Sequence, residues 1–398
     1  MSPQQASAEP ASDAAHDWVL PQYGSTGLGA VLPSVLASLG VEEEASAYLR
    51  LPAAERAVVV LVDGLGDRLL RRRSGHAPFL RSLLATGRTL HPGFPTTTAT
   101  SMGSFGTGLP PGAHGLVGYE VRDPDSGTVF NELSWEEGPH PESWQPFETV
   151  FERAERAGLT TARIGPSFFD GSGLTRAALR GGDFVGANDL ASRVDATLAC
   201  AREPRSLTYL YWGEVDKVGH IHGCESWQWG EELSATDAEL ERLASSLPAG
   251  TALHITADHG MVDVPEEAVV DVALDPVLSA GLARFGGEPR APQVYAVPGA
   301  AQDVIGRWQE RLADRGEVLT RLEAVERGLF GPVREHVLHR IGDAVVLMKP
   351  GHAVVDSRVH RPELIALRGL HGSLTPDEVE IPLLSVPPAA SSSAASQR

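Results

Sequence analysis

The stretch AVVVLVDGLG, residues 57–66, contains six consecutive apolar residues, four of them valine, followed by Asp63 and Gly64. A short apolar run that is rich in β-branched residues and ends at a turn signal is typical of a strand buried on both faces. Such strands occur mainly in parallel sheets covered by helices. The stretch therefore predicts an α/β fold and places Asp63 at the carboxyl end of an inner strand.

The sequence around this strand alternates between helix and strand patterns. Helical periodicity spans residues 76–87 and 227–247, whereas residues 252–260, ALHITADHG, follow a strand pattern. This alternation predicts a sandwich in which a central, mostly parallel sheet is covered by helices on both faces. Ligands of such sheets bind at the carboxyl ends of the strands.

The domain organisation is predicted from composition. Residues 1–24 and 387–398 are small, polar or proline-rich, which predicts disordered tails. Residues 25–386 are predicted to form one catalytic domain. Within it, residues 265–365 are less regular and are expected to form a small cap-like insertion.

Bulk composition excludes several functions. The 398 residues carry a net charge of −19, so binding to nucleic acid is not expected. No apolar run is long enough to cross a bilayer and no signal peptide is recognised, which predicts a cytoplasmic protein without membrane contact. The two cysteines, Cys200 and Cys224, are expected to be free thiols, although a disulfide between them stays possible. The oligomeric state is left open.

Ionisable side chains follow several predicted strands. Asp216 and His220 are four residues apart, which is one helical turn, and Asp258 and His259 precede Gly260. Each alone has a structural interpretation, because a strand-end aspartate is often a turn or capping residue. Together, aspartate and histidine ligands suit zinc, manganese or iron, and six are enough for two divalent ions. The candidates are Asp63, Asp216, His220, Asp258, His259 and His371.

A run of hydroxyl residues precedes a predicted helix of small residues. Residues 94–102, FPTTTATSM, contain four threonines and Ser101. The free N–H groups of a helix start are suited to bind phosphate. A threonine there is either a helix cap or, beside a metal pair, a nucleophile, because metal coordination lowers the pKa of a hydroxyl.

Five segments, taken in order, resemble the alkaline phosphatase superfamily and most closely its type I phosphodiesterase / nucleotide pyrophosphatase branch. They are VDGLGD, FPTTTATSMGSFGTGLPPGAHGLVG, DKVGH, TADHG and GLHGSLTPDEVEIPLL. The resemblance implies an alkaline-phosphatase-like sandwich and two divalent metal ions, most commonly zinc, with manganese as the alternative. It implies that one metal is held by Asp216, His220 and His371, and the other by Asp63, Asp258 and His259, with Thr98 as the nucleophile that also contacts this second metal.

The resemblance further implies hydrolysis of a phosphodiester or a nucleotide pyrophosphate through a phospho-threonine intermediate. Ser101 lies one helical turn after Thr98, and its hydroxyl is predicted to bind the phosphoryl group; here the chain departs from the family pattern. Phosphomonoesterase or phosphonate hydrolase activity is the alternative, and Arg163 and Lys217 are candidates to clamp a dianion. A non-catalytic metal-binding protein and a metal-dependent mutase are less favoured.

Overall fold

The computed structural model describes residues 18–44 and 47–390. Its strands, in chain order, are β1 (Arg56–Val62), β2 (Arg88–Leu90), β3 (Glu120–Arg122), β4 (Val129–Asn131), β5 (Thr160–Gly165), β6 (Asp183–Gly186), β7 (Ser206–Trp212), β8 (Thr251–Thr256), β9 (Val262–Asp263), β10 (Val269–Asp271), β11 (Leu282–Glu288), β12 (Ala291–Ala296), β13 (Gly316–Thr320), β14 (Ala344–Met348), β15 (Ala353–Val355), β16 (Gly369–Leu370) and β17 (Ile381–Val386).

The α-helices surround these strands. They are α1 (Val31–Ser38), α2 (Asp67–Arg72), α3 (Pro78–Leu83), α4 (Thr98–Thr107), α5 (Pro111–His114), α6 (Pro141–Trp144), α7 (Val150–Arg156), α8 (Gly173–Ala178), α9 (Leu190–Cys200), α10 (Glu214–His222), α11 (Trp227–Ser246), α12 (Pro276–Ser279), α13 (Ala301–Leu312), α14 (Arg321–Glu326), α15 (Glu335–Leu338), α16 (Pro362–Ile365) and α17 (Pro376–Val379).

The main sheet has seven strands in the order β2-β17-β8-β1-β7-β5-β6. Strand β1 is parallel to both neighbours, β7 and β8, and β5 is parallel to β7 and β6. Only β17 runs against its neighbours, β8 and β2. The prediction of a mostly parallel central sheet in an α/β fold is therefore confirmed.

Strand β1 shows why the sheet is covered on both sides. Its residues from Ala57 to Val62 are all buried, although successive side chains point to opposite faces. Apolar atoms are therefore removed from water on both faces. This burial stabilises the fold by about 25 cal/mol for each Å² of apolar surface. The carboxyl end of β1 lies between those of β7 and β8, so residues that follow these three strands meet at one edge.

A second sheet lies within the segment predicted as a cap. Its four antiparallel strands have the order β11-β12-β14-β13, and it has its own apolar cluster, in which Trp308 of α13 is fully buried. The predicted limits of 265 and 365 stay predictions. The tip of the β11–β12 hairpin, at Glu288 and Pro289, extends to the main cavity of the domain.

The segments predicted as tails lie partly within the described residues. Residues 1–17 and 391–398 lie outside the described residues, but residues 18–24 pack on the domain: Val19 N donates to Leu374 O at 3.0 Å, and Tyr23 Oη donates to Leu329 O. Cys200 and Cys224 are both free thiols, as expected. Among the helices of the described residues, none has the length and apolar character required to span a membrane.

Candidate active site

The carboxyl edge of the sheet brings together residues that are far apart in sequence. Asp63 follows β1, Asp216 and His220 lie on α10 directly after β7, and Asp258 follows β8. Gly64 allows the close approach: its φ is +72°, and a Cβ atom there would lie 2.9 Å from Asp216 Cβ. A side chain at position 64 would therefore separate the first two carboxylates.

The first group of candidate ligands is Asp216, His220 and His371, whose ligand atoms lie within 4.8 Å of one another. His220 Nε2 lies 3.2 Å from Asp216 Oδ2, and His371 Nε2 lies 4.0 Å from Asp216 Oδ1. Asp216 and His220, one turn apart on α10, thus lie together with the distant His371, as the resemblance implies.

The second group is Asp63, His259 and Asp216, again within 4.8 Å. His259 Nε2 lies 3.3 Å from Asp63 Oδ1 and 3.6 Å from Asp258 Oδ2. Asp258 is oriented by main-chain donors, because its Oδ1 accepts from Gly64 N and from His259 N at 3.1 Å each. Asp216 thus lies between the two groups, whereas the resemblance assigned it to one.

All three histidines use the same ring nitrogen for support. Nδ1 of His220, His259 and His371 donates to the main-chain oxygens of Gly369 at 2.6 Å, Gly260 at 3.1 Å and Thr96 at 2.8 Å, respectively. These bonds fix the tautomer with the proton on Nδ1. The unprotonated Nε2 atoms face the carboxylates, which is the arrangement that metal-binding histidines require.

The carboxylates lack the partners that buried charges need. Asp63 Oδ1, Asp216 Oδ1 and Asp258 Oδ2 are buried and form no hydrogen bond to the described residues. Burial and the neighbouring aspartates raise the pKa of Asp63, and burial raises that of Asp258. Burial opposes ionisation of Asp216 too, but the histidines around it, His220 foremost, lower its pKa. Divalent cations would satisfy these three oxygens, so the residues present fit a pair of metal ions.

Thr98 is the first residue of α4 and faces both a carboxylate and an imidazole. Its Oγ1 lies 3.4 Å from Asp63 Oδ2 and 3.4 Å from His259 Nε2. Of the five hydroxyl residues from Thr96 to Ser101, Thr98 alone is partly exposed; the other four are buried. The first N–H groups of α4 have no partner within the helix, which suits an anion beside Thr98.

The structure argues against the predicted role of Ser101. Its side chain is fully buried, its Oγ donates to Asp258 O at 2.8 Å, and it does not line the cavity. The predicted helix spacing is correct, but the hydroxyl supports the strand end that carries Asp258 instead of facing the phosphoryl site. Thr97 occupies the N-cap position as expected, with extended backbone, but without a side-chain capping bond.

A cavity of about 640 Å³ opens in front of the two ligand groups. Phe168, Phe169, Phe184 and Tyr211 line it, and the Tyr211 hydroxyl also donates to Asp63 Oδ2. Tyr119 lines the cavity too, whereas Trp212 is buried in the core under Arg193.

Two residues of the cavity show the limits of sequence patterns. Glu288, at the tip of the β11–β12 hairpin, lines the cavity with its Oε1 unpartnered, and burial raises its pKa. No pattern in the sequence analysis indicated Glu288. Of the two predicted cationic clamps, Arg163 lines the cavity, whereas Lys217 is exposed, does not line it, and pairs with Glu214 at 2.9 Å.

The fold is that of the alkaline phosphatase superfamily, and the candidate ligand groups lie at the carboxyl edge of its main sheet. The model of the type I phosphodiesterase / nucleotide pyrophosphatase family matches residues 57–374. The chain therefore belongs to this family.

Curated relatives match over part of their length. Human ectonucleotide pyrophosphatase/phosphodiesterase family member 5 is 24% identical over 232 residues, which cover 56% of this chain and 48% of the relative. The rat family member 7 is 27% identical over 232 residues, covering 53% and 51%. The chain thus spans about half the length of the curated relatives it matches.

Solved structures share the fold over most of the chain. Murine ectonucleotide pyrophosphatase/phosphodiesterase 5 has a TM-score of 0.68 at 20% identity, covering 83% of this chain and 88% of the other. An inactive threonine-to-alanine variant of the murine protein, in complex with AMP, has a TM-score of 0.66 at 19% identity, covering 83% and 87%. Phosphonoacetate hydrolase from Sinorhizobium meliloti, in complex with phosphonoformate, has a TM-score of 0.63 at 22% identity, covering 85% and 91%.

Proposed function

We propose that this chain is a metal-dependent phosphodiesterase that cleaves phosphodiester or nucleotide pyrophosphate bonds with Thr98 as its nucleophile. One observation carries the proposal: the only partly exposed hydroxyl of the 96–101 run lies 3.4 Å from both Asp63 Oδ2 and His259 Nε2. An inactive threonine-to-alanine variant of a relative with the same fold agrees with a threonine nucleophile. The proposal keeps the cytoplasmic location that the sequence predicts.

The residues that would hold two divalent ions are those of the two ligand groups, together with Asp258. Asp216, His220 and His371 would hold one ion, and Asp63, Asp258 and His259 the other, with zinc as the first candidate and manganese as the second. When bound, the ions supply positive charge that lowers the pKa of a hydroxyl and balances charge on the phosphoryl oxygens. This charge also lets an acidic protein accept an anionic substrate.

Thr98 performs the first displacement. A bond forms between Thr98 Oγ1 and phosphorus while the bond from phosphorus to the leaving oxygen breaks, and the α4 N–H groups face the phosphoryl oxygens. Water then attacks the phospho-threonine and restores the hydroxyl. The buried hydrogen bonds from the histidine Nδ1 atoms to main-chain oxygens hold the surrounding side chains in place.

The nucleophile is tested with bis(4-nitrophenyl) phosphate. We expect Thr98→Ala to lower turnover on the order of a thousandfold or more, with metal content unchanged at about two ions per chain by elemental analysis. Thr97→Ala is the neighbouring control and should lose far less, because Thr97 is buried and its side chain interacts with Glu288, which is not a candidate metal ligand. Full turnover by Thr98→Ala would overturn the assignment.

The substrate class is tested with a panel. A phosphodiester, a nucleotide pyrophosphate, a phosphomonoester and a phosphonate are compared with zinc and with manganese loaded separately. We expect the highest kcat/KM for one of the first two. The fold shared with phosphonoacetate hydrolase makes a phosphonate the second candidate, and a preference for the monoester or the phosphonate would replace the proposed substrate class.

A further inference from the structure

Arg163 is a buried cation in the wall of the cavity. It lies on β5 between Tyr209 of β7 and Phe184 of β6 in the sheet register. Its exposed fraction is 9%, and it is the only arginine or lysine among the described residues that line the cavity. The carboxylates that act most strongly on its charge are those of Asp170, Glu155 and Asp183, none of which is a candidate metal ligand.

Most of the Arg163 hydrogen-bonding capacity is unused. Nη2 donates to Gly182 O at 3.0 Å, but the buried Nε and Nη1 have no partner among the described residues. Arg163 also forms no ion pair within the described part of the chain. Burial of unpaired guanidinium N–H groups costs folding free energy, because these groups lose their hydrogen bonds to water and form none within the protein.

A second buried arginine in the domain has hydrogen-bond acceptors, unlike Arg163. Arg193 of α9 has an exposed fraction of 5% and donates through Nε, Nη1 and Nη2 to three main-chain oxygens, those of Ala187, Tyr211 and Asn188. Arg193 is thus satisfied by the fold, and it does not line the cavity. Arg163 differs in both respects.

The surroundings of Arg163 favour an anionic ligand. The centre of its guanidinium lies 5.7 Å from the centroid of the Phe184 ring, and Met102, Leu174 and Leu179 form apolar walls of the same cavity. In such surroundings a charge pair is stronger than in water. A guanidinium keeps its charge at any ordinary pH, and its N–H groups donate charge-assisted hydrogen bonds to carboxylate and phosphate oxygens.

We infer that Arg163 binds a second oxyanion of the substrate, a carboxylate or a phosphate monoester, joined by an apolar spacer to the phosphoryl group that Thr98 attacks. This inference rests on the proposed function and names its substrate class. The apolar walls contact the spacer, and the guanidinium binds the terminal oxyanion through N–H groups that the fold leaves without acceptors.

The test compares matched esters. Alkyl 4-nitrophenyl phosphates of increasing chain length are compared with esters of the same length that end in a carboxylate or in a phosphate. For the wild-type protein we expect kcat/KM for a charged ester of one length to exceed that of its alkyl counterpart by about tenfold to a hundredfold, as for hydrogen bonds to charged groups. The two charged series distinguish carboxylate from phosphate.

Variants assign the preference to Arg163. In Arg163→Gln the ratio of charged to alkyl ester should fall to about one, and in Arg163→Lys it should fall partly, because the charge stays but the guanidinium N–H groups are lost. Lys217→Gln is the matched control: it also removes one cation near the site, but from an exposed side chain paired with Glu214, and its ratio should equal that of the wild type.

Each outcome decides between the two proposals. A wild-type protein that hydrolyses the alkyl esters but shows no charged preference at any length overturns the inference alone, and needs no variant to fold. A preference that survives in Arg163→Gln also overturns it. If no ester of any kind is hydrolysed, the proposed function is wrong, and the substrate assignment falls with it.

Discussion

His371 and Thr96 connect the two loops that form the site. His371 Nδ1 donates to Thr96 O at 2.8 Å, and Gly372 N donates to Thr96 Oγ1 at 2.9 Å. The Thr96 hydroxyl in turn donates to Ser373 O at 3.0 Å. Thr96 precedes the proposed nucleophile by two residues, so one buried side chain sets the position of a metal-ligand loop relative to the start of α4.

Thr96→Val should weaken both stability and metal binding. The change removes the acceptor of Gly372 N and leaves that buried N–H unpaired, which costs about 1–3 kcal/mol of unfolding free energy. Because the His371 loop loses its support, metal affinity should fall about tenfold to a hundredfold. Urea unfolding measures the first effect and titration with zinc the second.

Thr100→Val is the matched control on the same helix. Thr100 is also fully buried, but its Oγ1 has no hydrogen-bond partner among the described residues. Its replacement by an isosteric apolar side chain should be neutral or slightly stabilising and should not change metal affinity. Equal losses in the two variants would show that the Thr96 hydroxyl bonds are unimportant.

Asp63→Asn should stabilise the metal-free protein while weakening metal binding. Burial, together with Asp258 and Asp216, raises the pKa of Asp63 above its ordinary value of 3.8. The ionised form therefore destabilises the fold, by about 1.4 kcal/mol for each unit of the raised pKa. An amide can still accept from Tyr211 but removes this charge. Thermal unfolding with and without a chelator measures both effects.

The raised pKa of Asp63 also makes the stability of the metal-free protein depend on pH. Because folded Asp63 holds its proton more tightly than the unfolded chain does, the free energy of unfolding should rise as pH falls through the raised pKa towards the ordinary value of 3.8. Asp258 acts in the same direction, whereas Asp216, with its lowered pKa, loses its contribution only below its ordinary value of 3.8. In Asp63→Asn the slope should be smaller; an unchanged slope would contradict the assignment to Asp63.

The sequence predicted those parts of the site that depend on strand ends and local spacing. Asp63, Asp258 and His259 follow apolar strands, so the parallel sheet alone brings them together. The four-residue spacing of Asp216 and His220 similarly fixes one side of α10. Thr98 came from the resemblance, because the residues alone did not separate a cap from a nucleophile.

The remaining features depend on contacts between distant segments. Ser101 lies on the predicted helical face, but the main-chain oxygen of Asp258 binds its hydroxyl, and no pattern near Ser101 indicates this. Glu288 reaches the cavity from a hairpin of the second sheet. Arg163 was a candidate to clamp a dianion, but the sequence did not indicate where its side chain lies. Such placements follow from packing between elements, which local sequence patterns do not encode.

A buried ion pair secures the hairpin tip beside the cavity. Arg290 Nε and Nη2 bind Glu378 Oε1 and Oε2 at 2.7 and 2.8 Å, and both side chains are fully buried. Arg290 also donates to the main-chain oxygens of Lys349, His352 and Met348. The charges of the pair are thus compensated, and the pair joins the β11–β12 turn to α17.

Glu378→Gln should therefore cost about 3–5 kcal/mol of unfolding free energy, because it leaves the Arg290 charge buried and uncompensated. Arg311→Gln is the control: Arg311 pairs with Asp275, but its side chain is 53% exposed, so the loss should stay below about 1 kcal/mol. Urea unfolding compares the two variants. Replacing both Arg290 and Glu378 by apolar residues should restore much of the stability, since no unpaired charge remains; a double variant as unstable as Glu378→Gln would show that packing around the pair, and not its charge, accounts for the loss.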